Sequence, residues 1–345
     1  MAGSINRMTV GALVLALALG SGCQRDQPES AKALLFPTLS ERQVDLNRVQ
    51  LTGAGNVALV TLSKKSSAWR VAERQDWPAD EGRLSQYLFV LSQTHRIDAK
   101  TANPKLYPRL GVEPVSGAAA TGTELSLSGP GISARLLIGH EHAKFNSNYV
   151  RIDGQPQSWL TDLPVTFDRD PASWLDRRLI DLPLARIAGV HVSGGAEKAF
   201  SLSHRDDRFR LDDAPSAAMH DSYQGDAMAS VLDQLKFEDV AADDGSATIE
   251  RELRFDAVDG TQVTIQAWHV GSQLWVRVAT SIDEAKLLAW IQLAGHTEAA
   301  GALRNQVADW NRRFHSQRFL VPAGPAATLM LTHEQILAGA GVPGA

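Results

Sequence analysis

Ala68-Trp69-Arg70-Val71, then Trp77-Pro78-Ala79-Asp80, then Leu84, Leu88 and Leu91 form the stretch that decides the fold class. The first four residues alternate as a half-buried strand does, with every second side chain on one face. Asp80 is a fitting helix N-cap, because its carboxylate can accept from the first free backbone amides. The three leucines stand at i, i+4 and i+7, the apolar stripe of a helix with one buried face. A strand that turns into such a helix, with further strands around it, reads as a sheet covered by a helix on one side.

Working outward, the neighbouring segments are β. Val49 and Leu51 alternate, Gly53-Ala54-Gly55-Asn56 signals a turn, and Val57 to Leu62 continues as a strand. Ile97-Asp98 returns to extended chain. Glu124 to Leu127, Ala134 to Ile138, Tyr149 to Ile152 and Ser158 to Leu160 add four strands, the first two separated by Gly129-Pro130-Gly131.

The same order of elements returns later in the chain. Leu184 to Ile187 echoes Leu46 to Val49, Ser193-Gly194-Gly195 echoes the first turn, and Arg208-Phe209-Arg210-Leu211 echoes Ala68 to Val71. Ala214-Pro215 stands where Trp77-Pro78 stood, Met228, Leu232 and Leu235 repeat the helix stripe, and Phe237-Glu238 matches Ile97-Asp98. The offset runs from 137 (Pro215 against Pro78) to 140 (Leu211 against Val71). Six echoes in one order point to a duplicated module. The second copy continues with strands at 252–258, 262–270 and 274–278, and Asp259-Gly260 is a hairpin signal. A helix with a Ser281/Glu284 capping box, a helix over about 297–314, strands Arg318 to Val321 and Ala327 to Leu331, and a helix capped by Thr332 and Gln335 complete the expectation. The fold class expected is α+β, with two related modules, each an antiparallel sheet with helices packed on one face. The boundaries expected are a signal peptide over 1–22, a lipid-anchored tether over 23–40, and modules over 41–183 and 184–345.

The first residues give the compartment. Arg7 precedes an apolar run from Met8 to Leu19, then Gly20-Ser21-Gly22 and Cys23. A basic start, an apolar stretch and a small-residue exit are the parts of a secretory signal. The run is shorter than the roughly 20 apolar residues that span a bilayer. Cys23 is the sole cysteine, so an internal disulfide is excluded. Leu19-Gly20-Ser21-Gly22-Cys23 resembles a bacterial lipobox, in which the cysteine thiol receives diacylglycerol and becomes the N-terminus. Gly20 stands where that pattern has leucine. The resemblance implies lipidation at Cys23, and Gln24 behind it favours the outer over the inner membrane. Loss of Arg7 with the signal takes the net charge from −5 to −6, which argues against a nucleic-acid partner.

Residues that carry chemistry are sparse. His140-Glu141-His142 would place two imidazoles on one face of a strand, yet no third ligand is evident, and residues 139–148 read as a polar hairpin tip. Asp206-Asp207, Asp212-Asp213 and Asp243-Asp244 lack the spacing of a calcium loop and suit turns. There is no nucleophile elbow, phosphate loop or dinucleotide fingerprint. No catalytic residue, metal or cofactor is therefore expected. The eight tryptophans fall mostly within strand and helix patterns and read as core.

The segments Thr101 to Glu113, with Asn103-Pro104 opening a short helix and Gly111 ending it, Trp77-Pro78-Ala79-Asp80, and Asp170 to Pro183 resemble bacterial domain-of-unknown-function family 4340. The resemblance runs over roughly 40–330. Members of that family look like exported or membrane-anchored proteins, many encoded beside gliding-motility-type ABC transporters. The resemblance implies an accessory role at the envelope and carries over no catalytic residue. The expected function is a non-enzymatic envelope lipoprotein, a binding or scaffolding subunit with an envelope protein, a transporter subunit first, as partner. The alternative is an envelope hydrolase or carbohydrate-binding protein with an unmotifed site.

Overall fold

The computed structural model describes residues 32–195, 197–205, 207–213, 223–294 and 299–338. The expected signal segment, Cys23 and Ala214-Pro215 lie outside them. The chain folds mainly as antiparallel sheets, with helices on the sheets and at their ends. The body begins earlier than residue 41. Ala33–Leu34 pairs with Arg96 and His95, a short helix Leu39–Arg42 follows, and Leu35 and Leu39 are buried, so 33–40 belong to the folded body rather than to a tether.

Across the first sheet the strands run Ala33–Leu34, His95–Ala99, Ser158–Thr161, Asn148–Ile152, Ile132–Glu141, Thr123–Gly129, Arg48–Gly53, Val57–Lys65, Ala68–Val71 and Trp77–Pro78. Across the second they run Arg208–Leu211, Phe200–Arg205, Ile187–Ser193, Arg251–Ala257, Thr261–Val270, Gln273–Ile282, Gln317–Leu320 and Asp239–Ala242. With the two outermost strands of the first sheet set aside, ranking strands by chain order gives 3-2-1-5-6-7-8-4 in both sheets. Register agrees as well. The row Val71, Leu62, Val49, Leu127 has its counterpart in Leu211, Leu202, Val190, Phe255. The row Thr123, Ile138, Val150, Trp159, Ala99 has its counterpart in Arg251, Ala267, Val276, Phe319, Val240.

Helix Glu81–Gln93 covers the first sheet. Asp80 accepts from the Arg83 amide at 2.9 Å, and Leu84, Leu88 and Leu91 are buried. The second sheet differs at the matching place. Met228, Leu232 and Leu235 are all buried, but the helix covers only Gln224–Ala229, and Leu235 enters a strand with Lys236 against Arg178–Ile180. Apolar spacing reports burial, and a turn and a short strand bury the same three side chains as a helix would. Helix Ala299–Phe314 supplies the missing cover, with Val307, Trp310 and Phe314 packed on strand Gln273–Ile282.

Two further expectations are corrected. Ser281 stays in its strand, and Asp283 caps the next helix by accepting from Ala285 and Lys286 at 3.1 Å. Ala327 to Leu331 is no strand, because Ala323–Leu329 is helical. Pro322 precedes that helix and Pro325 fits its first turn, where no amide hydrogen is needed. The Thr332/Gln335 capping box forms in both directions, at 2.8 and 3.1 Å.

The segment 101–122 is laid over the opposite face of the first sheet. Asn103 accepts from the Lys105 amide, Tyr107 donates to the Pro156 carbonyl at 2.6 Å, and the buried Arg151 stacks on the Tyr107 ring at 4.5 Å. The approach is backbone to backbone: a Cβ on Gly122 would stand 1.8 Å from the Gly111 carbonyl oxygen. This distinctive sequence segment is therefore a packing device.

At the end of the chain, the buried Arg251 donates to the Leu331 carbonyl at 2.7 Å, and His333 contacts Asp213 at 3.0 Å beside Lys198. Lys198 first, then His333, hold the Asp213 pKa at about 2 against 3.8 for a free carboxylate. A depressed carboxylate stabilises the fold above its unfolded pKa and loses that contribution as pH falls through the folded one. Unfolding midpoints of the parent and Asp213→Asn should therefore differ near neutral pH and converge as pH falls from 3.8 to about 2. Asp213 and Lys198 are exposed, so added salt should shrink the difference.

Candidate functional site

The two sheets meet at an aromatic seam built by residues 164–183. Asp170 caps a short 3-10 turn through the Ala172 amide, and Pro171 opens it. This turn buries Trp174, which stacks on Phe167 with centroids 4.0 Å apart and donates to the Asp168 carbonyl at 3.1 Å. Leu175 then bridges to Ala79. Asp80 and Asp176 amides bond the Trp174 and Pro78 carbonyls at 2.8 and 2.9 Å. Trp77 reaches across, donating to the Asp176 carbonyl at 2.9 Å and standing edge-on to Phe237 and Phe319. Arg313 lies over the Trp77 ring at 4.8 Å and donates to the Arg178 carbonyl.

A polar cleft of about 770 Å³ opens along this seam, lined by Asp80, Glu81, Asp176, Arg83, Arg178 and Lys236 among others. A second, more apolar cleft of about 680 Å³ lies on the other side of Arg83, against Tyr87, Phe167 and Trp174. The carboxylates in the first cleft are committed. Asp80 caps the helix, Glu81 accepts from the Trp69 amide at 3.0 Å, and Arg178 grips Asp176 with two bonds of 2.8 and 2.9 Å. Burial alone would raise the Asp176 pKa, but Arg178 and Arg313 outweigh it and hold the carboxyl below the usual range. Burial pushes the Tyr87 hydroxyl upward, and it donates to the Val165 carbonyl at 2.9 Å. A carboxylate paired with arginine and a phenol locked to a backbone oxygen are poor general acids and bases at neutral pH.

One constellation escaped sequence reasoning. His191 Nδ1 lies 2.9 Å from Ser201 Oγ, and its Nε2 lies 3.3 Å from Asp256 Oδ2. The order Ser–His–Asp is that of a hydrolytic relay. Here Asp256 also receives Lys286 at 3.1 Å, Arg254 at 3.2 Å and Gln262 at 3.0 Å. Burial would raise its pKa, but Lys286, Arg254 and His191 prevail and lower it. Its charge is shared among cations, which weakens its support of an imidazolium. The residues are 10 and 65 positions apart, and only sheet register joins them.

The other candidates separate. His140 bonds Thr121 at 3.1 Å, whereas His142 stacks on Phe145 at the hairpin tip. Asp243 and Asp244 accept from the amides of Gly245 and Ser246, as turn residues do. Among the described residues no three of His, Cys, Asp and Glu are grouped to hold a metal.

A last feature is helix Glu284–Ala294, which the first sheet lacks: there residues 153–157 join the equivalent strands. Leu287 is buried and Trp290 and Ile291 are half-buried on one side, and Glu284 pairs with Arg304 at 2.7 Å. The other side presents Ala285, Leu288, Ala289, Gln292 and Leu293, with Leu293 89 % exposed and Leu288 54 %. Among the described residues no helix is long and apolar enough to cross a membrane.

Fold and site define an α+β protein whose two large antiparallel sheets meet at an aromatic seam, with the seam carboxylates of Asp80, Glu81 and Asp176 held in structural bonds. The family model described as "Domain of unknown function (DUF4340)" matches residues 69–257, more than half of the chain, and the chain belongs to that family. The matched span starts in strand Ala68–Val71, crosses the seam and ends with strand Arg251–Ala257. No curated protein and no solved structure gives a match.

Proposed function

We propose that the protein is an exported lipoprotein, anchored through Cys23 and facing the periplasm, that acts by contact as a binding or scaffolding subunit of the envelope. An ABC transport system is its first candidate partner. The observation that carries contact over turnover is the commitment of the seam's acid and base groups to structural bonds. The solitary Cys23 behind an apolar run supports the anchor. Confinement to a membrane raises the effective concentration of any membrane partner, so modest affinity suffices. The body is two related modules, a reading supported by the shared strand order and matching register.

The test has two arms. In-cell crosslinking should join the chain to a transporter subunit, and the purified chain should be inert on esterase, glycosidase, peptidase and phosphatase substrates. The second reading, a hydrolase, is favoured by the Ser201–His191–Asp256 contact alone. Turnover that disappears in both Ser201→Ala and His191→Ala would put that reading first.

A further inference from the structure

We infer that helix Glu284–Ala294 is a second membrane contact, laying the side that carries Leu288 and Leu293 into the lipid interface. The inference rests on the Cys23 anchor proposed above. Four observations lead to it.

The first is composition. Glu284 is neutralised by Arg304, and Lys286 turns to Asp256, so the outward side of the helix offers no free charge. A helix apolar on more than its packed side needs cover from another body. The second is size. Eleven residues give a helix about 16 Å long and about 10 Å across. That footprint of about 160 Å² is far below the roughly 800 Å² each partner contributes to a stable protein interface. A second copy or a rigid protein partner is thus poorly served by it. A bilayer sets no such minimum, because each apolar side chain enters on its own.

The third is reach. From Cys23 to Lys32, where the described body begins, there are nine residues, which extend at most about 30 Å. An acylated Cys23 keeps Lys32, the start of the described body, within that distance of the lipid, so two leucines that would not hold a free protein act at a raised local concentration. The fourth is placement. The helix is an addition to the second sheet, and Leu287 with the Asp283 cap fixes it at its strand end. The sheet is covered without it, because Ala299–Phe314 packs on strand Gln273–Ile282.

The chain offers a clean reporter. Cys23 is its only cysteine, and acylation consumes that thiol, so Leu293→Cys in the purified full-length lipoprotein labels at one place. Leu293 is almost fully exposed, so the change leaves packing intact. With an environment-sensitive fluorophore there, reconstitution into phosphatidylcholine vesicles carrying an acyl-chain nitroxide lipid should quench emission at least twofold. Added phosphatidylglycerol or salt should change this little, because the face carries no free cation. Leu288→Gln in the same reporter should abolish most of the quenching. An unquenched label on a chain whose Cys23 is acylated overturns the helix inference and leaves the anchor intact. Emission that changes with protein concentration but not with nitroxide lipid assigns the face to a second copy and also overturns it. A free thiol at Cys23 instead refutes the anchor. The helix is then read in the Cys23→Ser, Leu293→Cys chain held by an amino-terminal histidine tag on nickel-chelating lipid, where quenching supports the contact and its absence refutes it.

Discussion

Trp174→Ala should lower stability by about 3–5 kcal/mol, the cost of emptying a buried site of that size. Three contacts go at once: the stack on Phe167, the bond to the Asp168 carbonyl, and the ring under Arg83 at 4.9 Å. The neighbouring backbone bonds from Asp80 and to Pro78 tie the edge of the first sheet to this turn, and Trp77 on that edge packs on Phe237 and Phe319, so the loss is felt across the seam. The thermal midpoint should fall by on the order of 10 °C. Trp174→Phe keeps a ring in place and loses the indole bond, so its cost should be nearer 1 kcal/mol. Thermal and urea unfolding of the three proteins check this, and equal destabilisation by Ala and Phe would count against a seam held by ring packing.

Cys23→Ser should move the protein from the membrane pellet to the soluble fraction. Each buried methylene of an acyl chain contributes about 0.8 kcal/mol, so two or three chains hold a protein where a single one does not. Losing the thiol removes all of them, because every chain in this reading depends on first modifying that residue. The remaining membrane contact, two leucines on a short helix, is then too weak to retain the chain. Fractionation of cells checks the release. Mass spectrometry of the native protein should find an acylated Cys23 at its N-terminus, and an unmodified N-terminus at another residue would refute the anchor.

Much of the local architecture could be read from the chain. The leucine stripe at 84, 88 and 91, the Asp80 cap, the Thr332/Gln335 box, the Asn103-Pro104 turn and the Asp259-Gly260 hairpin all formed. Each is decided within a few residues, by a side chain that bonds its own backbone or a glycine that takes a positive φ. Gly260 does so at +84°, and a Cβ there would meet the Asp283 carbonyl oxygen at 2.6 Å. The order of most strands was also legible, since it needs only the succession of periods and turns.

What the sequence could not decide depends on partners far away in the chain. The short, mostly apolar stretch Ala327-Thr328-Leu329-Met330-Leu331 suits strand or helix equally, and packing against helix Gln224–Ala229 selected the helix. The Met228, Leu232 and Leu235 pattern fixed three buried side chains but not the backbone that buries them. Ser201, His191 and Asp256 meet because two register choices set them side by side, and a one-residue slip would turn them to opposite faces. Trp77 finds Phe237 and Phe319 only once the two large sheets are docked. The sequence by itself determined most of the caps, turns and periodicities, because those energies are local. Tertiary structure alone decided the seam, the spent charges and the uncovered helix face, because each is a difference between what one segment offers and what a distant segment covers.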